Sequence, residues 1–114
     1  MFKVIHSIFF LNEYAWNKNA NIVFIESPGG VGFTRIIDKN IYYNDTIQAI
    51  SLNIALQNFF DLLDEYQTND FYIAGESYVG TYIPHLVKEI LKNKTENATK
   101  IDLKGILIGN PYTL

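Results

Sequence analysis

Phe71-Tyr72-Ile73-Ala74-Gly75-Glu76-Ser77-Tyr78-Val79-Gly80 is the stretch on which the reading of this chain turns. Its first five residues form a short apolar run of the kind carried by a strand covered on both faces. From Tyr78 the period changes. Val79, Tyr82, Ile83, Leu86, Val87, Ile90 and Leu91 fall on one broad helical face that ends at about Asn93, with Pro84 expected to kink it. Strand therefore passes into helix with no linker, and Ser77 sits at the junction with glycines before and after it. This is the context of a nucleophile elbow, a tight turn that lifts a serine Oγ above the edge of a sheet. The Tyr78 backbone N–H falls in the unpaired first turn of the helix, where one donor aimed at a developing oxyanion is worth about 3 kcal/mol of barrier. The bland alternative is a serine that caps a helix between small residues. The supported strand on one side and helix on the other favour the elbow. One residue disagrees: Val79 stands where Gly or Ala is usual, and its β-branched side chain is expected to crowd the turn.

Outward from this point the pattern repeats. Asn21-Ile22-Val23-Phe24-Ile25-Glu26 and Gly105-Ile106-Leu107-Ile108-Gly109 are two further apolar runs and read as parallel strands. Between the first strand and Phe71 lies Asp45 to Tyr66, where Leu52, Leu56, Phe59, Leu63 and Tyr66 make one apolar stripe. Asp45 with Gln48 three residues on resembles a capping box and sets the expected helix start. A polar stretch from Lys92 to Lys100 reads as a surface turn. The expected fold class is α/β, a βαβαβ core of a mostly parallel sheet. Ligands of such sheets sit beyond the carboxyl ends of the strands, which here means Glu26 to Phe33, Gly75 to Tyr78 and Gly109 to Tyr112.

Composition bounds the rest. The chain has 114 residues, 48% of them hydrophobic and 15% aromatic, enough apolar material for one core. Its net charge of −3 leaves no basic patch for nucleic acid or an anionic membrane surface. With no cysteine there is neither a disulfide framework nor a thiolate metal site, and the redox compartment stays open. Met1 to Leu11 has one lysine and an apolar run broken by His6 and Ser7, a poor signal peptide, and no run is long enough to span a bilayer. Sequons at Asn44, Asn93 and Asn97 lean weakly towards secretion. Gly29-Gly30-Val31-Gly32 lacks the lysine and spacing of a phosphate loop and reads as a loop at the active-site edge. Trp16, Phe59, Phe60 and the tyrosines are read as packing residues. No cofactor or metal is expected.

Several ordered blocks resemble those of serine carboxypeptidases: Trp16 to Pro28, Gly30-Val31-Gly32-Phe33, Asn69 to Tyr78, Tyr82-Ile83-Pro84 and Leu103 to Pro111. They cover nearly the whole chain, so residues 1–114 are read as a single partial α/β-hydrolase domain. The resemblance implies an exopeptidase that removes single residues from peptide C-termini through an acyl-enzyme, with peptide or protein C-termini as its partners. It also implies a secreted or vacuolar/lysosomal setting. By the same resemblance Ser77 matches the nucleophile, Tyr78 the backbone oxyanion donor, and Glu76 a glutamate that helps to hold the substrate's terminal carboxylate. Two carboxylates within hydrogen-bond reach share a proton, which favours work at acidic pH; the alternative is that Glu76 only favours the helix dipole, by at most about 1 kcal/mol.

The chain also departs from the family. Residues 1 to 15 lack the glycine-rich segment that supplies the other oxyanion donor. The acid and histidine of the triad must follow the serine, yet after Ser77 come only His85, Glu89, Glu96 and Asp102. His85 lies eight residues along the same helix, about 12 Å up its axis, and Asp102 stands at the amino end of its strand, the wrong sheet edge. Family chains are several times longer. Three readings follow: a piece of a serine-type carboxypeptidase, a related acyltransferase delivering its acyl group to an alcohol, or a truncated product without catalysis. A sheet piece with uncovered edges is expected to be poorly soluble.

Overall fold

The computed structural model describes residues 2–5, 8–37, 40, 42–95 and 101–113. The Asn97 sequon, Glu96, His6 and Ser7 lie outside these residues, as do residues 96–100 of the turn expected from Lys92 to Lys100; the first part of that turn, Lys92 to Thr95, is corrected, since helix continues through it. Along the chain come strands β1 (Phe2–Ile5) and β2 (Ile8–Leu11), a single 3-10 turn at Trp16–Lys18, helix α1 (Asp45–Leu62), a second 3-10 turn at Asp64–Tyr66, strand β3 (Phe71–Glu76), helix α2 (Val79–Thr95) and strand β4 (Leu103–Gly109).

The unit that positions the site is β3–α2–β4. β3 and β4 pair in parallel, Ile73 opposite Ile106 and Glu76 opposite Gly109, with an irregularity between Phe71 and Tyr72. α2 is the crossover between them and lies against both strands. Its buried line is Gly80, Ile83, Leu86 and Ile90, the inner part of the face read from the sequence, whereas Leu91 on the rim of that face is exposed. Leu86 and Ile90 form the core with Leu56, Phe60 and Ile101, ringed by Leu52, Phe59, Tyr66, Phe71, Ile73 and Leu103. The rings of Phe59 and Phe71 both meet Phe60 edge to face, at 5.3 and 5.2 Å. Such pairs add about 1 kcal/mol each beyond the area they bury.

α1 begins at the residue expected, but its cap is a different one. Asn44 is extended (φ −138°, ψ 173°) and its Oδ1 accepts from the Ile47 N–H at 2.9 Å. The Asp45–Gln48 capping box is thus corrected: Asp45 already has helical backbone and Gln48 is buried. Gln48 instead donates through Nε2 to the Ser27 Oγ at 3.0 Å. The helix also stops at Leu62, short of Tyr66, because Leu63 leaves the helical region (φ −123°, ψ 65°). Its buried line runs through Ala49, Asn53, Leu56 and Phe60, with the Leu52, Phe59 and Tyr66 of the expected stripe half-buried beside it. The shift follows from what α1 packs on, which is chiefly α2, with Phe60 alone reaching the Phe71 ring of β3 among the described ring contacts.

The largest departure is the first expected strand. Residues 21–26 are not part of a ladder, and Val23, Phe24 and Ile25 are 51%, 76% and 45% exposed. Ile25 to Gly29 lies against α1, facing Gln48, Leu52 and Ala55. Packed helices are spaced about 8–10 Å apart, roughly twice the strand spacing. A segment under α1 is therefore out of ladder reach of a strand under α2. The described sheet is a βαβ pair rather than βαβαβ. Residues 2–5 and 8–11, read only as a poor signal sequence, form an antiparallel ribbon with Phe2 opposite Leu11 and Ile5 opposite Ile8. The radius of gyration, 16.1 Å, exceeds the roughly 13 Å of a compact domain near this length. The described helices include none long and apolar enough to cross a membrane.

Candidate active site

β3 ends at Glu76, and the backbone reverses at Ser77. Ser77 has φ 67°, a left-handed conformation that a non-glycine residue adopts at a cost of about 1–3 kcal/mol and keeps only where its surroundings impose it. Three backbone hydrogen bonds do so. The Ser77 N–H donates to the Gly109 carbonyl at 3.0 Å, while the Ser77 carbonyl accepts from the Gly80 N–H at 3.0 Å and from the Tyr112 N–H at 2.8 Å. Ser77 is exposed at the carboxyl end of the parallel pair, the edge that the sequence pattern assigns to chemistry. Asn110 also adopts positive φ, 41°, as the chain turns off the end of β4.

Glycines permit two close approaches in this turn. A Cβ on Gly75 would collide with the Val79 side chain, and one on Gly80 would lie 2.7 Å from the Pro111 Cβ. The first contact answers the expectation that Val79 crowds the elbow. Its side chain fills the space that Gly75 leaves open, and the left-handed turn is kept.

Tyr78 precedes the first residue of α2. Its carbonyl accepts from Thr81 at 2.9 Å and from Tyr82 at 3.4 Å, whereas its N–H has no hydrogen-bond partner among the described residues. The Tyr78 ring stacks on Tyr112 (5.6 Å, 13°) and meets Tyr82 edge to face (4.8 Å, 69°). The Asp45 carboxylate, more than desolvation or the two neighbouring tyrosines, holds the Tyr78 hydroxyl above its ordinary pKa of 10.0. The charge at the start of α1 is thus felt at the elbow, an influence that no spacing in the sequence discloses. Glu76 is exposed at the last ladder position, opposite Gly109.

The described candidates after Ser77, His85, Glu89 and Asp102, are engaged elsewhere. The His85 Nδ1 lies 2.9 Å from the Thr81 carbonyl in its own helix, Glu89 pairs with Lys92 at 2.8 Å, and Asp102 pairs with Lys104 at 2.7 Å at the amino end of β4. In the loop that follows residues 21–26 the Glu26 carboxylate accepts from the Phe33 N–H at 2.6 Å. The Thr34 hydroxyl accepts from Gly30 at 2.9 Å and donates to the Val31 carbonyl at 2.6 Å. The glycine-rich loop is thus closed on itself. Trp16, read as a packing residue, is 76% exposed. The cavity between this loop and α1, about 170 Å³, is lined by Glu26, Ser27, Tyr43 and Gln48 and includes none of Glu76, Ser77 or Tyr78.

Residues 3–114 match the family model described as serine carboxypeptidase. The chain belongs to the serine carboxypeptidase family. It is 44% identical over 109 residues to serine carboxypeptidase-like 31 of Arabidopsis thaliana, covering 90% of this chain and 22% of that one. With the venom serine carboxypeptidase of Apis mellifera it shares 42% identity over 104 residues, with the same two coverages of 90% and 22%. The crystal structure of Kex1(delta)p, a prohormone-processing carboxypeptidase from Saccharomyces cerevisiae, is similar with a TM-score of 0.80 and 29% identity, over 91% of this chain and 24% of that one. The serine carboxypeptidase-like chain is thus a partial α/β-hydrolase fold that spans less than a quarter of the length of these relatives.

The sequence pattern placed Pro111 and Tyr112 at the carboxyl edge, within Gly109 to Tyr112, but gave them no role, although they close over the elbow. Nothing in their residue types marks them, and only their place just beyond the third apolar run hints at a role.

Proposed function

We propose that this chain is the nucleophile-bearing part of a serine-type carboxypeptidase. The observation that carries this reading is the left-handed Ser77, held by three backbone hydrogen bonds at the carboxyl end of β3. In the proposed reaction the Ser77 Oγ attacks the carbonyl carbon of the last peptide bond. Its proton passes to a histidine contributed from outside the described residues, since His85 is turned to its own helix. The Tyr78 N–H, which has no partner of its own among the described residues, donates to the oxyanion as the tetrahedral centre forms. Departure of the C-terminal amino acid leaves an acyl-enzyme at Ser77, which water hydrolyses.

Glu76, next to Ser77 and exposed, is the proposed ligand for the substrate's terminal carboxylate. That contact between two carboxylates needs one shared proton. The setting that fits is a secretory one. Asn44 of the first sequon is exposed, and its side-chain oxygen rather than its amide nitrogen makes the helix cap.

The test is hydrolysis of an N-blocked dipeptide by the chain combined with a polypeptide that carries the family's acid and histidine. Release of the C-terminal amino acid that disappears in Ser77→Ala, and with a C-terminally amidated substrate, is the expected outcome. Equal cleavage of the free and amidated substrates would remove the carboxypeptidase reading.

A further inference from the structure

The Ser77 carbonyl and the Tyr78 N–H belong to one peptide unit. That unit is planar and trans, so its C=O and N–H point in opposite directions and whatever fixes one fixes the other. On the carbonyl side the unit is held by the Tyr112 N–H at 2.8 Å and the Gly80 N–H at 3.0 Å. On the side-chain side the Tyr112 ring stacks on Tyr78 with its plane only 13° away. The segment carrying Tyr112 is itself fixed. Gly80 lies against Pro111 and the Tyr112 carbonyl, leaving no room for a Cβ, and the Thr81 hydroxyl donates to that carbonyl at 3.5 Å.

We propose that Tyr112 is a positioning residue for the Tyr78 N–H, its own N–H and its ring together locking the orientation of the Ser77–Tyr78 peptide plane. The inference rests on the reading of that N–H as the oxyanion donor, and it adds a second consequence. A carbonyl that accepts two hydrogen bonds polarises its own peptide, so the opposite N–H becomes a stronger donor. Tyr112 acts through the peptide and touches no reacting atom.

The two halves of the device separate by substitution. Tyr112→Leu removes the aromatic stack and keeps the N–H, Tyr112→Pro removes the stack and the N–H together, so that its difference from Tyr112→Leu reports the N–H, and Tyr112→Phe keeps both. The experiment is NMR of the full 114-residue chain, reading the Tyr78 N–H residual dipolar coupling and the amide exchange of Gly80, with Leu86 and Ile90 as internal controls for the fold. Tyr112→Pro is expected to change the Tyr78 coupling and to speed Gly80 exchange about fivefold, the loss of one neutral hydrogen bond. Tyr112→Leu is expected to change the coupling alone, and Tyr112→Phe to match the parent. In an assembly that hydrolyses peptides, the Pro and Leu variants lower kcat and leave KM unchanged, whereas Ser77→Ala abolishes turnover, which separates failure of this inference from failure of the nucleophile assignment. An unaltered Tyr78 coupling in both Tyr112→Leu and Tyr112→Pro, with Leu86 and Ile90 as in the parent, would overturn the proposal.

Discussion

Ile22-Val23-Phe24-Ile25 and Gly105-Ile106-Leu107-Ile108 are alike in composition, yet only the second is a strand. β4 lies beside β3, with α2 covering the pair, and it is in register with β3 along almost its whole length. The earlier run lies beside α1, and Phe24 is 76% exposed. The difference teaches that an apolar, β-branched run is a strand only where another strand lies within about 4.8 Å of it. Around Ser77 that condition is met, and the elbow is tied to the end of β4 by hydrogen bonds. Around residues 21–26 it is not met among the described residues, and the same kind of sequence stays outside any ladder.

The comparison breaks most visibly in the core. Ile90→Ala, at a residue 1% exposed, should cost about 2–5 kcal/mol, and Phe24→Ala no more than about 0.5 kcal/mol, as read from denaturant midpoints of the chain. Comparable losses at the two sites would mean that residues 21–26 are packed after all. Next in size is Gly80→Ala. Its new Cβ meets Pro111 and the Tyr112 carbonyl, so overpacking should cost about 1–3 kcal/mol and open the clasp on Ser77, visible as faster exchange of the Tyr112 amide. Asn44→Ala should cost about 1 kcal/mol through loss of the bond to Ile47, and Asn44→Asp should restore most of it; helix content by circular dichroism would check both.

The smallest effect lies at the amino end of the sheet, far from Ser77. Lys104 is exposed and bridges Asp102 and Asp70, so Lys104→Ala should matter little and less still in high salt. Its ammonium is held above the ordinary 10.5 mainly by the hydrogen bond to Asp102, as the Tyr78 hydroxyl is held above 10.0 by Asp45. A pKa raised on folding lends stability below the unfolded value and loses it as pH climbs through the folded one. Both groups therefore predict full stability below pH 10.0 and a decline on the alkaline side. A urea midpoint that rises with alkaline pH would contradict this sign.

How much of this was legible depended on how local the cause was. β3, the elbow and α2 were readable because the period changes from strand to helix at a single serine, and the required neighbours, Gly75 and Gly80, stand within the motif. β4 was readable for the same reason. The unpaired state of residues 21–26 was not, because pairing depends on which element lies alongside, and α1 turns its buried line towards α2. The cap at Asn44 was missed by one residue, since Asn and Asp both cap helices and only the backbone angles distinguish them. Tyr112 stacks on Tyr78 from 34 positions away in sequence and the Asp45 charge acts on it from 33, and no periodicity reports such long-range effects.

The most direct test of the elbow is covalent. Treat the chain, combined with a polypeptide supplying the family's acid and histidine, with a fluorophosphonate at mildly acidic pH, and locate the adduct by mass spectrometry. The expected result is a single adduct on Ser77 that is absent from Ser77→Ala. An adduct on another serine, or labelling that persists in Ser77→Ala, would contradict the assignment of Ser77 as the nucleophile.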